Sequence, residues 1–580
     1  MLESPRSVVP SGPATVRVPM PGALGRGEGV LVLVLFGALL ALRAFYAARL
    51  PFDTDESQHL HVAWAWSKGH VAYRDFFDNH TPLFHLLSAP FVAAVGERAE
   101  ILVLARYAML PLHAATLYLT YAIGRRLFGA RIGAWAAVLL GFHREFFAIS
   151  IQYRTDQLWL LAWLLAVAVL LGGRWSARRG FAGGLLLGFA VGVSMKTLLS
   201  AGTLGAGALV AVAVCPAARA GWSARRAAMG AAAVFAGTLV VPGALALWLA
   251  SMGALDAFRY CTLDHNAMSL GVGGWRPLSP YLFAAALAGS IGATFAFGRS
   301  RLAPGDRARQ LTFLTSAGLC ASIVFTIWPT STRQDGLPLS VVLALLVAVV
   351  LVAALDAAIA RLLPRLSLVA ARRLAAGSLV LVVFGFGARL YAKSGFGRDL
   401  GPYIGELREV LRITDPSDFV MDAKGDTIFR ERPFYYVLEL FTIHRLEDGS
   451  IEDRIVERCV ETGACVLYGE FKPFPRKSLA RLLDHAVGVG RLRVQGHAFG
   501  TVTAGTPLPF DILVPSTYAF VAEDGIARGT LDGTPYEGPR ALSAGAHVFV
   551  ADVPARGLAV VWAKAAARGF APTASAPLGP

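Results

Sequence analysis

The chain is poor in charge. Asp, Glu, Lys and Arg make up only 16% of its 580 residues, while 55% are hydrophobic, and the mean hydropathy is +0.54. A soluble globular protein of this length is excluded by that composition, and a polytopic α-helical membrane protein is what it describes. Cysteine is scarce as well, five in all, too few for a disulfide scaffold. Cys215 and Cys320 fall in apolar runs and read as inert core thiols; Cys459 and Cys465 lie in a polar region where a disulfide is permitted but not required. The last third of the chain lacks metal-ligand spacing, a nucleophile elbow and a phosphate-binding glycine loop, so it reads as a structural or sugar-binding accessory part.

Long apolar runs are abundant. Those able to cross about 30 Å of hydrocarbon lie near 29–49, 101–123, 131–150, 156–173, 180–195, 198–215, 227–251, 280–298, 310–328, 336–356 and 374–391, about eleven helices in all. The run 82–96 is shorter and begins at Pro82, which suits a helix lying at the interface.

Basic residues outnumber acidic ones, 54 to 39, for a net charge of +15. In a soluble chain that would suggest nucleic acid. Here the arginines fall between apolar runs, at Arg125, Arg126 and Arg131, at Arg178 and Arg179, at Arg225 and Arg226, at Arg307 and Arg309, and at Arg361, Arg365, Arg372 and Arg373. Basicity of this kind is topology, and no nucleic-acid partner is expected. With 82–96 not crossing, every cluster is cytoplasmic, and the loops 50–100, 151–155, 252–279 and 329–335 face outward with everything after residue 392. Residues 1–28, rich in Pro, Gly, Ser and Arg, read as a disordered cytoplasmic tail. Cleavage of the first apolar run near Ala47-Ala48, as in a signal peptide, would break the parity.

Beyond residue 392 the long apolar runs stop. Residues 392–486 read as a small extracytoplasmic α/β domain and 487–580, with short alternating strands between Gly and Pro, as a β-sandwich-like accessory domain.

The outward loops carry the unusual polar residues. Asp53, Asp55 and Glu56 follow the first span directly, and a carboxylate drawn out of bulk water has its pKa raised unless cations or donors compensate, which fits it to act as a base. Arg154 and Asp156 occupy the short loop before the fourth span; Lys196 and Arg333 stand at outward helix ends. A lone Lys or Arg at a helix end is commonly a snorkelling anchor, but acids and cations here converge on one face of the bilayer. Asp53, Asp55, Glu56 and His59 could also collect a hard divalent cation, although the sequence supplies cations enough without one.

As an ordered set over residues 29–360, these stretches resemble the GT-C superfamily of polyprenyl-phosphate-sugar-dependent glycosyltransferases, especially the relatives of protein O-mannosyltransferases and of the lipid A aminoarabinose transferase. Asp55-Glu56 looks like the acidic motif after the first helix, and Asp78-Asn79-His80-Thr81-Pro82-Leu83-Phe84 like the Lys/His-x-Pro-Pro-Leu segment. Gly124 to Gly129 looks like the basic turn, Arg154-Thr155-Asp156 like the second acidic site, Met195-Lys196-Thr197 like the Thr-Lys-Gly stretch, and Asp335-Gly336-Leu337-Pro338 like the Tyr-Leu-Leu-Pro segment. His80 stands where many relatives have lysine, Thr81 replaces the first proline, and Thr197-Leu198 replaces a glycine.

The resemblance implies a multi-pass protein of a bacterial inner membrane that moves a sugar from a polyprenyl-phosphate carrier to a hydroxyl on the extracytoplasmic face. A phosphate leaving group departs without a general acid, so such a site needs cations and one base. Asp55 is the expected base, with Glu56 and Asp156 orienting the acceptor and sugar; Asp53, His80, Arg154, Lys196 and Arg333 are expected to bind substrate. Nucleotide sugars are disfavoured as donors because the site faces outward and no nucleotide-binding domain lies inside. The rival from another class is a transporter or flippase of lipid-linked glycans. Such proteins usually bind at the bilayer midplane through broken helices in repeated halves, and no corresponding pair of broken spans is evident.

Overall fold

The structure, a computed structural model, describes residues 24–173, 175–216, 223–267, 304–326, 332–393, 400–523 and 525–572. The membrane part comprises α1 (Arg26–Ala47), α2 (Thr54–Ser67), α3 (Leu83–Val95), α4 (Ile101–Ala108), α5 (Leu110–Phe128), α6 (Ala130–Phe142), α7 (Arg144–Ile151), α8 (Thr155–Leu170), α9 (Ala177–Val193) and α10 (Lys196–Val214). It continues with α11 (Ala224–Ser251), α12 (Leu255–Arg259), α13 (Pro304–Thr326), α14 (Leu337–Leu362) and α15 (Leu368–Lys393).

Six of the described helices are long and apolar enough to cross a membrane, or seven if the bent pair α6 and α7, which meet at 68°, is a single span. The expected count of eleven is therefore not reproduced by length and apolarity. The run 280–298 lies outside the described residues. The run 131–150 is broken where His143 takes extended backbone, φ −67° and ψ 121°. The runs at 156–173 and 180–195 form helices of only 16 and 17 residues. The run 82–96 folds as the expected short helix, α3, with Pro90 inside it.

Helix pairing follows small residues. Gly184 of α9 meets α11 so closely that an added Cβ would lie 2.1 Å from the Val234 carbonyl oxygen, and one on Gly237 would lie 2.3 Å from that of Phe181. Only glycine lets the two backbones come this near, the usual device where no hydrophobic effect drives helices together in lipid. At the other end of the bundle Arg131, expected simply as a cytoplasmic anchor, is 2% exposed and pairs with Glu28 at 2.8 Å and Asp356 at 2.7 Å. It thereby joins α1, α6 and α14.

The C-terminal part begins with α16 (Gly401–Ile413) and alternates β1 (Val420–Met421), α17 (Leu440–Glu447), α18 (Ile455–Thr462), β2 (Val466–Tyr468) and α19 (Arg476–Asp484). Ten further strands follow, β3 (Ala486–Val489), β4 (Leu492–Val502), β5 (Pro507–Ile512), β6 (Ser516–Ala522), β7 (Gly525–Ile526), β8 (Gly529–Leu531), β9 (Thr534–Tyr536), β10 (Arg540–Leu542), β11 (Gly545–Ala551) and β12 (Ala555–Trp562), and then α20 (Ala563–Ala567). β1 and β2 are parallel. The long strand β4 (Leu492–Val502) pairs with β2 through its first half and with β12 through its second, so one sheet in the order β1-β2-β4-β12-β6-β10 runs across residue 486. A second sheet, β5-β11-β8-β9, faces it, and one apolar core extends from Val410 to Phe570. Cys459 and Cys465 are free thiols in that core, each pushed up to about 12, chiefly by burial.

This part sits on the segment between α1 and α4. Arg430 reaches Glu97 at 2.7 Å, His61 Nδ1 lies 3.0 Å from the Ile428 carbonyl oxygen, and the Tyr435 hydroxyl donates to the Tyr73 carbonyl.

Candidate active site

The site is built on the start of α2. Asp53 caps that helix: its carboxylate accepts from the Asp55 backbone N–H at 3.0 Å, while Glu56 accepts from the Asp53 N–H at 3.3 Å, a reciprocal capping box. Burial, then the Asp55 charge, raises the pKa of Asp53.

Glu56 has no contact with solvent. Arg106 donates to its two oxygens at 2.6 and 2.8 Å and the Tyr153 N–H at 2.9 Å. Arg106 spends its other donors on the carbonyls of Ala47, Leu50 and Pro51, clamping the end of α1 to the start of α2.

Asp55 faces the other way and is 31% exposed. Its Oδ2 accepts from Arg154 Nη1 at 2.6 Å and its Oδ1 from Lys424 Nζ at 2.7 Å. Burial works against its charge, but Arg154 and then Lys424 outweigh burial and hold its carboxyl well below the usual carboxylate range. Arg154 continues to Asp156 Oδ2 at 3.2 Å, Asp156 Oδ1 to Lys196 Nζ at 3.3 Å, and Lys196 to Asp335 Oδ1 at 2.7 Å. A ladder of alternating charge thus runs Lys424, Asp55, Arg154, Asp156, Lys196, Asp335. It joins the C-terminal part to the N-terminal ends of α2, α8 and α10 and to the turn before α14.

Sequence reasoning named Asp55, Arg154, Asp156 and Lys196, and the structure brings them together. It does not bring Arg333: that guanidinium is 80% exposed and faces Glu145 Oε2 at 3.7 Å. The neighbouring Asp335, buried and capping its own turn through the Thr332 N–H at 2.7 Å, joins the ladder instead. Lys424 and Asp335 were missed as ligands. Asp335 sat in a quoted motif, but nothing in the local pattern around Lys424 could have flagged it.

His80 belongs to a second cluster. Its Nδ1 lies 3.0 Å from Asp78 Oδ1, His85 Nδ1 lies 3.1 Å from Asp78 Oδ2, and His85 Nε2 lies 2.9 Å from His59 Nδ1. Asp78 is fully buried; burial opposes its charge, yet His85 and then His80 hold its carboxyl well below the usual range. His59 is pushed down by burial and by its histidine neighbours.

The carboxylates offered for a divalent cation already have cationic or cap partners: Asp53 caps α2 and shares Arg154 Nη1, at 3.6 Å, with Asp55, which also binds Lys424, and Glu56 is held by Arg106. Among the described residues no group of three or more His, Cys, Asp or Glu is placed to hold a metal ion. Between α8, α10, α13 and α14 lies a small cavity of mixed lining, with Ser200, Thr203 and Ser316 beside Trp163, Leu204 and Phe313.

The chain aligns over 80% of its length, and over 97% of the other chain, with ArnT from Cupriavidus metallidurans bound to undecaprenyl phosphate, at 14% identity and a TM-score of 0.57. The apo state of the same protein gives 0.55. The chain carries the GT-C fold. AglB, the archaeal oligosaccharyltransferase from Archaeoglobus fulgidus, aligns over 80% of this chain and 73% of its own at 11% identity and a TM-score of 0.48. Residues 79–245 match the profile of a family described as dolichyl-phosphate-mannose-protein mannosyltransferase. No curated protein matches the chain in sequence.

Proposed function

We propose that this protein is an integral membrane glycosyltransferase that moves a sugar from a polyprenyl-phosphate carrier to a hydroxyl acceptor on the extracytoplasmic face. The observation that carries the reading is the ladder itself: a partly exposed carboxylate, Asp55, held by two cations, with a third cation, Lys196, joined to it through Asp156. The fold shared with ArnT, which binds undecaprenyl phosphate, and the match of residues 79–245 to a dolichyl-phosphate-mannose-dependent family support the same donor class.

In this mechanism the carrier phosphate binds Lys196 and Arg154 and competes with Asp55 for Arg154. Losing part of its cation shell, the Asp55 carboxylate becomes more basic at the moment the donor is in place. It takes the acceptor hydroxyl proton as that oxygen attacks the anomeric carbon. The bond between that carbon and the phosphate oxygen breaks, and its electron pair leaves on the polyprenyl phosphate, where the cations stabilise it. Asp156 orients Arg154 and Lys196 from beneath. Glu56 and Asp53 act as positioning residues, one through Arg106 and the other through the helix cap, and His80 lies beside the site through His59 of α2, whose ring centre is 4.7 Å from its own. Arg333 has no part in this scheme.

The test is lipid and glycan profiling of a deletion strain, paired with transfer by the purified full chain from polyprenyl-phosphate sugars. A missing glycan modification that the purified chain restores from such a donor is the expected result. An unchanged profile together with no transfer from any polyprenyl-phosphate sugar would sink the reading.

A further inference from the structure

The loop 422–428 of the C-terminal part lies along α2. Lys424 meets Asp55, Asp426 meets Ser57, and the Ile428 carbonyl oxygen meets His61 Nδ1. Between these contacts a side chain at Gly425, where φ is +85°, would put its Cβ 2.6 Å from that of His61. From within, the loop is held by Asp422, which accepts from the Gly425 N–H at 2.6 Å and the Thr427 N–H at 3.0 Å and pairs with Arg432 at 2.8 Å.

The contact between Ser57 and Asp426 needs a proton on the carboxyl. Ser57 Oγ lies 2.8 Å from the Thr54 carbonyl oxygen and 2.9 Å from Asp426 Oδ1, and a hydroxyl has one hydrogen for the two. The carbonyl can only accept. A helical serine gives its hydrogen to the carbonyl of the preceding turn, and the second contact is then a hydrogen bond only if Asp426 donates. Oδ2 agrees: it is buried without a partner among the described residues, which is tolerable for the carbonyl oxygen of a neutral acid and costly for half of a carboxylate.

The surroundings of Asp426 favour the neutral form. Among the described residues the cations facing it are engaged elsewhere, Lys424 with Asp55 and Arg491 with Glu470 at 2.9 Å. Tyr403 and Tyr468 line the same cleft, Glu406 of α16 stands beyond Tyr468, and His61 on α2 is pushed down by burial. Burial, then the neighbouring Asp422 charge, pushes the Asp426 carboxyl up to about 7.

We propose that Asp426 is a protonated latch: its carboxyl donates to Ser57, seats the loop on α2 and so places Lys424 against Asp55, and loss of that proton frees the loop and withdraws Lys424. Asp426 is thus a positioning residue that acts on Asp55 through Lys424. The proton is independent of the transferase reading, while its effect on transfer rests on it. The sign follows from linkage. The seated loop holds a proton that a released loop, its carboxyl in water with the ordinary pKa of about 3.9, gives up. Rising pH therefore favours release, by about tenfold per unit for one proton, until the carboxyl is ionised in both states above about 7.

The test uses the full chain in nanodiscs. Infrared spectra should show a protonated-carboxyl band in mild acid that fades as pH rises and is missing from Asp426→Asn, whose amide keeps a donor for Ser57. Hydrogen exchange of the peptide 422–428, corrected for the intrinsic rate, should lose protection by about a hundredfold over two pH units below neutrality, and the variant should show no such loss. In transfer assays kcat of the unaltered chain should fall, as the band fades, toward that of Lys424→Gln, and kcat of Asp426→Asn should not. If Asp426→Asn lowers the melting temperature, Asp426→Ser, which also donates, replaces it. The proposal is overturned if the variant keeps the band, if it loses protection with pH as the unaltered chain does, or if its kcat falls in the same way. Absence of transfer by every form would count against the transferase reading, and the infrared and exchange measurements would still decide the latch.

Discussion

Lys424 donates to Asp55 across 2.7 Å, although 369 residues separate them in the chain. The C-terminal part therefore supplies a cation to a carboxylate at the start of α2, and under the proposed function it is tied to the chemistry as well as to the bundle.

The first expectation concerns Asp55. Asp55→Asn keeps the size of the side chain and removes the proton acceptor, so transfer should fall by on the order of 10² to 10⁴, the usual worth of a positioned base. The variant should still be produced and folded, and should still bind the lipid donor. Near-normal turnover would pass the role to Asp53, whose pKa is raised.

Removing Lys424 should alter the pH profile. Asp55 has to be ionised to accept a proton, and Arg154 and Lys424 lower its pKa. In Lys424→Gln one of these influences is lost, the carboxyl pKa rises, and activity should begin to fall at a higher pH as the solution is acidified. The acid limb of log kcat/KM against pH is the measurement; an unmoved limb would mean that Lys424 does not act on the base.

The buried pair of Glu56 and Arg106 predicts a stability effect instead. Both side chains are wholly buried, and deleting one partner strands the other charge, at a cost of about 3–5 kcal/mol. Glu56→Ala and Arg106→Met should both lower the melting temperature of the purified protein sharply. Asp55→Asn, at a partly exposed carboxylate, should lower it far less.

His80 separates two roles. His80→Ala removes the contact with Asp78 and should raise KM for the lipid donor with little change in folding, whereas His80→Lys, the residue found in many relatives, should keep donor use near normal. Equal behaviour of both variants and the unaltered chain in donor titrations would remove His80 from the site.

Topology can be checked directly. Single cysteines at positions 70 and 530, in a chain with its native cysteines replaced, should react with an impermeant thiol reagent from the same, extracytoplasmic side. The packing of Arg430 on Glu97 and of Tyr435 on Tyr73 requires that the two parts share a side. Labelling from opposite sides would overturn the orientation drawn from the arginine clusters.

By itself the sequence determined the membrane class, the helical bundle and the acidic start of α2, because apolar length and arginine placement respond to the bilayer, a solvent that acts on every residue alike. It also brought forward Asp55, Arg154, Asp156 and Lys196, since charged residues at the ends of apolar runs stand out against them. The number of crossings was less legible: a break such as the one at His143 depends on what the helix packs against, and the hydropathy of 131–150 does not register it. Only the tertiary structure decided which charge meets which. It assigned Glu56 to a buried partner and Asp55 to an accessible ladder, though they are adjacent, because consecutive residues on a helix point about 100° apart. It left Arg333 in solvent and drew in Lys424 and Asp335. Electrostatic partnership depends on distances of a few ångströms set by packing, and local sequence carries no measure of the contact between a loop at residue 424 and a helix that starts at residue 54.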